Sequence, residues 1–301
     1  YYNYYYSDTG ETTKRSSVNI NLEWAIVDGL RAVAQFSNHN RHSRSHFFVK
    51  NNPTTGTNIR PTKEAFTETN RMDFQTYLNW KKTFAEDHNI DVVAGYDYMK
   101  DKNNSIDARV QGAASDKIPT LNVGTSNITN YPTSTRTDEV LISYFGRVNY
   151  NFREKYLLSF TMRADGSSKF AAGNRWGYFP AASAGWIVDE EAFWPQNKVV
   201  SSLKLRASYG LTGNNGIGLY DTYGSYNSAY QYNGMSTTTT GEMPNSNLTW
   251  ESTTQVNAGL DMGLADDRVR VSFDYYDKVT RNLLFDVTLP NTTGYGSVVS
   301  N

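Results

Sequence analysis

Three features of the sequence predict an all-β fold, an antiparallel transmembrane β-barrel wall of about ten strands. They are long stretches of strict apolar–polar alternation, connections that alternate between short and long, and aromatic residues gathered where the stretches end. Alternation at period two places successive side chains on opposite faces of a strand. Ten stretches show it, near 15–27, 30–41, 70–82, 89–102, 138–150, 156–166, 174–188, 202–213, 249–262 and 268–281. Strands of soluble proteins cluster at about 5–6 residues, whereas a tilted crossing of a bilayer takes roughly 9–11, so these lengths favour a membrane barrel.

In the first stretch Val18, Ile20, Leu22, Trp24 and Ile26 oppose Asn19, Asn21 and Glu23, and Asp28-Gly29 is a hairpin signal leading into the second. Further short connections fall at 83–88, 151–155, 189–201 and 263–267. Polar segments at 42–69, 103–137 and 214–248, with a tighter one at 167–173, separate the pairs. Short turns on one side and long loops on the other match periplasmic turns and extracellular loops, which puts both chain ends on the outer side. The eighth stretch sets Leu203, Leu205, Ala207, Tyr209 and Leu211 against Lys204, Arg206, Ser208, Gly210 and Thr212. In the ninth, Val256, Ala258, Leu260 and Met262 oppose Gln255, Asn257 and Asp261; in the tenth, Val269, Val271, Phe273 and Tyr275 oppose Arg268, Arg270, Ser272 and Asp274.

Composition agrees. Only 38% of the residues are apolar, yet 22 Tyr, 14 Phe and 6 Trp raise the aromatic share to 14%, a bias suited to rings that meet both water and hydrocarbon. Trp24, Trp80, Phe84, Tyr150, Phe152, Tyr156, Trp186, Phe193 and Trp194 lie near the short-turn ends, and Phe36, Tyr98, Phe170, Trp176, Tyr178 and Trp250 nearer the long-loop ends. Two such belts are expected at the two headgroup levels of a bilayer. A net charge of −1 leaves no basic footprint for nucleic acid. The absence of cysteine excludes disulfides, thiolate zinc sites, iron–sulfur clusters and cysteine nucleophiles. No apolar run approaches the roughly 20 residues of a membrane-spanning helix.

Charged groups on a lipid face cost roughly 2–4 kcal/mol at the midplane for Arg or Lys, so Lys204, Arg206, Glu251, Gln255, Arg268 and Arg270 are expected to face the lumen. His39, His42 and His46 form an H-x2-H-x3-H run, but Arg41, Arg44 and polar neighbours make a wet basic loop the expectation and no metal site is assigned. Asp73, Asp97, Asp101, Asp165 and His39 could stand near a barrel rim, but their spacing singles out no catalytic group. The run from Asp165 to Phe170 reads as a tight outer turn, since it lacks phosphate-loop spacing and joins two strands. Glycine and asparagine at 213–218 are expected to end a strand through positive φ. Tyr220, Tyr223, Tyr226, Tyr230 and Tyr232, spread through a polar loop, are candidates for stacking on a substrate or contacting a lid protein, as are Tyr1, Tyr2, Tyr4, Tyr5 and Tyr6. The residues by themselves leave two other readings open, a small self-closed barrel enzyme and a soluble carbohydrate-binding β protein.

YFGRVNY at 144–150 runs into NFREKYLLSFTMRADGSSKFAAGNRWGYFPAASAGWIVDEEAFW, ending at Trp194, and is followed by SSLKLRASYGLTGNNGIG at 201–218, LTWESTTQVNAGLDMGL at 248–264 and FDYYDKVTRNLL at 273–284. This ordered set resembles the SusC/RagA-type TonB-dependent transporters of Bacteroidetes outer membranes over residues 138 to 301; residues 1 to 137 agree in pattern. The resemblance implies a barrel of about 22 strands, an internal plug, a SusD-like surface lipoprotein as lid and energy relayed by the TonB complex. It implies a non-enzymatic multi-pass importer in outer-membrane lipid, carrying a glycan or peptide substrate and needing no cofactor. Residues 1–301 are then expected to form part of a single barrel domain, an internal section without plug, TonB box or closing strands.

Overall fold

The structure, a computed structural model, describes residues 6–51, 59–124, 132–195 and 199–301. In chain order its strands are β1 (Ser7–Val27), β2 (Leu30–Val49), β3 (Thr62–Phe84), β4 (His88–Val110), β5 (Thr133–Phe152), β6 (Tyr156–Ser167), β7 (Trp176–Ile187), β8 (Val200–Asn214), β9 (Tyr226–Tyr232), β10 (Met235–Thr240), β11 (Glu251–Leu264), β12 (Val269–Arg281), β13 (Phe285–Thr288) and β14 (Ser297–Ser300). Ten form one sheet in the order β1-β2-β3-β4-β5-β6-β7-β8-β11-β12. β9 pairs with β10 and β13 with β14, so β8 meets β11 across an inserted hairpin. β1 and β12 are the two outermost strands, and among the described residues they do not pair with each other.

The ten expected stretches are the ten strands of this sheet, and most are longer than the alternation indicated. β1 to β5 have 20 to 23 residues each. The extensions lie in segments whose polar side chains hide the period-two signal, so the long loop expected at 42–69 is strand over 42–49 and 62–69, and the one expected at 103–137 is strand at its two ends, 103–110 and 133–137. The loop expected at 214–248 carries the β9–β10 hairpin.

The chain comprises two units, one of residues 1–20, 36–73 and 99–139, the other of 21–35, 74–98 and 140–301. The first is held by polar pairs. Glu64 receives His46 Nδ1 at 2.6 Å and Arg44 Nε at 3.3 Å, Arg71 reaches Asp101 at 2.7 Å, and Lys63 reaches Asp107 at 2.8 Å. In its 111–124 connection, Asp116 accepts the Asn51 backbone N–H at 2.9 Å and Arg60 Nε at 2.5 Å. The Asn51 N–H first and the Arg60 guanidinium second hold that carboxyl below its ordinary range.

The second unit contains β6 to β14, most of β5 and parts of β1 to β4. Its wall strands are exposed on their apolar side, with Leu22 65%, Phe160 53% and Phe273 67% exposed. A water-soluble sheet buries that side, so this inversion identifies an apolar solvent outside it. The conventional core lies elsewhere, between the β6–β7 turn, the 215–250 connection and the segment after β12. There Phe170 and Leu248 are 0% exposed and Ile217 6%, with Trp250, Leu284 and Val299 packed against them. Phe170 is therefore a core residue and not part of an interfacial belt. Its neighbours Ser167 and Ser168 anchor the turn: Val140 N–H donates to Ser168 Oγ at 2.9 Å and Asn215 Nδ2 to Ser167 Oγ at 3.2 Å.

Candidate functional site

Register places the polar face residue by residue. Across β5, β6, β7, β8 and β11 the directly opposed residues are Asn149, Ser159, Ser183, Ser208 and Asn257. On the same face the row toward the outer end reads Arg147, Thr161, Ala181, Gly210 and Gln255, and the next beyond it begins Phe145, Arg163, Phe179. Toward the short turns come Asn151, Leu157, Gly185, Arg206 and Gly259. A cavity of about 670 Å³ lies against this face, reaching from Lys81 and Asp91 in β3 and β4 to Asp274 in β12.

Of the residues expected to line a lumen, Lys204, Arg206, Glu251, Gln255 and Arg270 share this face. Arg206 is its electrostatic centre. Its Nε and Nη2 form a fork on Asp261 at 2.7 and 2.9 Å, and Nη2 also meets Asp274 at 3.0 Å. Ser272 Oγ donates to Asp261 at 2.7 Å. Such a bidentate pair fixes both side chains against the wall. Gln255 Nε2 donates to Asn257 Oδ1 at 2.7 Å, and Glu251 accepts the Leu284 backbone N–H at 3.2 Å. Arg268 departs from the expectation: it precedes β12, in the turn where its N–H donates to Ala265 O at 3.4 Å, so alternation does not fix its side.

The tyrosine cluster divides. Tyr220 and Tyr223 sit in the turn before β9, where Tyr223 N–H donates to Tyr220 O at 2.8 Å and Tyr223 Oη accepts Arg175 at 3.4 Å. Tyr226 and Tyr232 end β9 and stand 80% and 79% exposed. The side chain of Tyr230 lies outside the described residues, as do Tyr1, Tyr2, Tyr4 and Tyr5. The histidines disperse: His39 contacts Ser17, His46 contacts Glu64, and His42 lies 4.0 Å from Glu68.

Sequence reasoning missed the fastening of the outer wall. Phe179 faces the polar side and is nearly buried, seated where a Cβ at Gly177 or Gly213 would clash with its ring, and Trp250 meets it edge-on at 5.4 Å. Gly213 is thus needed for space, and its φ is not positive. Phe145 is seated in the same way over Gly95. Between them Arg163 donates to Asp165 at 2.9 Å and to Ser143 at 2.8 Å. The one available signal was an apolar residue in phase with polar ones, opposite glycines whose alignment appears only with the register.

Residues 1–301, the whole chain, match the family described as TonB dependent receptor-like, beta-barrel. The chain belongs to this family. It is 33% identical over 294 residues to TonB-dependent receptor P3 of Formosa agariphila, a match covering 94% of this chain and 29% of that receptor. It is 41% identical over 172 residues to TonB-dependent receptor SusC of Bacteroides thetaiotaomicron, covering 55% of this chain and 17% of SusC. Among solved structures the RagAB peptide transporter superposes with a TM-score of 0.91 at 25% identity, over 99% of this chain and 33% of the transporter chain. This TonB-dependent receptor chain therefore spans about a third or less of the length of these relatives.

Proposed function

We propose that the chain is part of the barrel wall of a SusC/RagA-type, TonB-dependent outer-membrane importer, a transporter and not an enzyme. The observation that carries this is the inverted wall. Ten paired strands expose apolar side chains on one face and gather Arg206, Asp261, Asp274 and the serine–asparagine row on the other, as lipid outside and water inside require. Residues 1–301 then belong to one barrel domain, with the plug and the TonB-binding segment elsewhere in a longer protein. Import would be driven by the TonB complex and gated by a SusD-like surface lipoprotein. The cargo is an oligosaccharide or a peptide; the likeness to a peptide transporter and to SusC supports the family of machine and leaves the cargo to experiment. Lys204, Arg206, Glu251, Gln255 and Arg270 face the lumen in this reading. Tyr220, Tyr223, Tyr226 and Tyr232 face the cargo or the lid.

The test is uptake by cells carrying the full-length protein, with the TonB complex intact or deleted, together with identification of what copurifies from outer membranes. The proposal expects uptake that disappears without TonB and a copurifying surface lipoprotein. TonB-independent flux and a lone 34 kDa membrane species would contradict it. Changing Tyr220, Tyr223 and Tyr226 together to Ala is expected to weaken lid binding or uptake; unchanged values for both would remove the tyrosines from the site.

A further inference from the structure

At the short-turn end, the apolar face of the wall gathers rings and charges into one corner. Register aligns Phe152, Tyr156 and Trp186 across β5, β6 and β7, in phase with Phe160 and Ala182 on that face. Tyr156 stacks with Phe152 at 6.0 Å and with Trp186 at 6.4 Å, and Phe193, 66% exposed, meets Trp186 edge-on at 6.3 Å. Rings at strand ends mark the headgroup level of a bilayer. The Glu191 carboxylate sits at the polar tips of two of them, accepting the Tyr156 hydroxyl and Trp186 Nε1, the latter at 3.0 Å. An ionised carboxylate has about four acceptor sites, so two remain. Lys155 and Arg153 act on Glu191 across space, each fastened to another group. Lys155 donates to the Glu190 carbonyl, and Arg153 Nε donates to Asp87 at 2.9 Å with its guanidinium 5.1 Å from the centre of the Phe152 ring. The exposed Arg153 fork keeps its Nη donors for an external acceptor. Ile187 N–H donates to Lys155 O at 2.9 Å, so the basic β5–β6 turn and the acidic exit of β7 are direct neighbours.

We infer that this corner is a headgroup site for a phospholipid bearing a primary amine, whose ammonium lies against Trp186 and Phe193 and donates to Glu191 while its phosphate takes the Arg153 guanidinium. The inference rests on the reading of the chain as a membrane wall. The order of charges decides the occupant. A cation and an anion side by side match a zwitterion, whereas a headgroup with a phosphate alone is repelled by Glu191. A quaternary ammonium would also rest on the rings, but it has no N–H to give the carboxylate. Toward the midplane the same face continues with Leu158 and Phe160, exposed and apolar, which suits the acyl chains of the same lipid.

The test strips the full-length protein of lipid in detergent and offers it equimolar phosphatidylethanolamine, phosphatidylcholine and phosphatidylglycerol with identical acyl chains. Native mass spectrometry then counts the lipids retained. Phosphatidylethanolamine is expected to be retained about tenfold over the other two, the scale of a hydrogen bond to a charged group. Glu191→Gln should remove that preference and leave retention of the other two unchanged. Phe193→Leu, which alters an exposed ring and spares the fold, should lower phosphatidylethanolamine retention about two- to fivefold. The control is Phe273, on the same cross-strand row but away on β12, where Phe273→Leu should change nothing. Equal retention of the three lipids, a preference that survives Glu191→Gln, or a loss in Phe273→Leu as large as in Phe193→Leu overturns the site. So does a parallel loss of all three lipids in Glu191→Gln, which would mean that this carboxylate only holds its turn together. A full-length protein that stays soluble without detergent and retains no lipid of any class would remove the membrane wall itself, and the site with it.

Discussion

The wall strands β5 to β8 and the outer core around Phe170 are made by the same stretch of chain and obey opposite rules. On the wall, Phe160 is opposed by Val148 and Ala182 and is more than half exposed, while the face behind it carries Ser159 and Thr161. In the outer core Phe170 and Leu248 are fully buried, and polar groups such as Ser167 and Thr222 are enclosed only with partners: Thr222 Oγ1 donates to Lys169 O at 2.8 Å. The difference is one of solvent. Apolar side chains turn toward lipid where there is lipid and toward one another where there is water, and the boundary between the regimes lies within the few residues from Met162 to Phe170.

The largest expected break in this comparison is Phe170→Ala, which should cost the outer core about 3–5 kcal/mol. Proteolysis or hydrogen exchange in 215–250 should report it while the wall strands stay protected. Phe160→Arg attacks the other regime and should destabilise the barrel by about 2–4 kcal/mol in a bilayer denaturant titration; stability equal to the parent protein would deny a lipid contact. Gly213→Ala forces Phe179 from its seat and should cost about 1–3 kcal/mol through overpacking, with a compensating gain in the double variant carrying Phe179→Leu. The smallest effect concerns pH at the short-turn side. Beyond β7, Glu191 accepts Tyr156 and then Trp186 Nε1, the latter at 3.0 Å, and these bonds hold its carboxyl below the ordinary glutamate range. A depressed carboxyl supports the fold above its unfolded value and loses that support as pH falls through its folded value. Trp186 emission should therefore change as pH drops below the ordinary glutamate value of about 4.3, and Glu191→Gln should abolish the change.

Much of the wall was legible, because period-two alternation survives wherever one face meets lipid: Val18 to Ile26 and Val269 to Tyr275 state their strands outright. The strand extensions were not, since both faces of Asp8–Ser16 or Asn38–His46 are polar and alternation vanishes. Of the short turns, Asp28-Gly29 was readable, with Gly29 at φ 77°. Ala85, Glu86, Arg153 and Glu154 hold positive φ without the glycine or asparagine that announces such a turn. In the candidate site, phase along β8 and β11 sufficed for Lys204, Arg206 and Gln255. The Arg206–Asp261–Asp274 network, the cavity and the Phe179 seat depend on register between strands, which a single sequence does not state.

The central claim is which face meets lipid. Single cysteines at 204, 205, 206 and 207 of the full-length protein, with any cysteine outside residues 1–301 replaced and the spin labels placed in a bilayer, would be challenged with oxygen, which concentrates in lipid, and with a water-soluble nickel chelate. The account predicts oxygen-dominated relaxation at 205 and 207 and nickel-dominated relaxation at 204 and 206. The reverse pattern, or equal water access at all four positions, would contradict it.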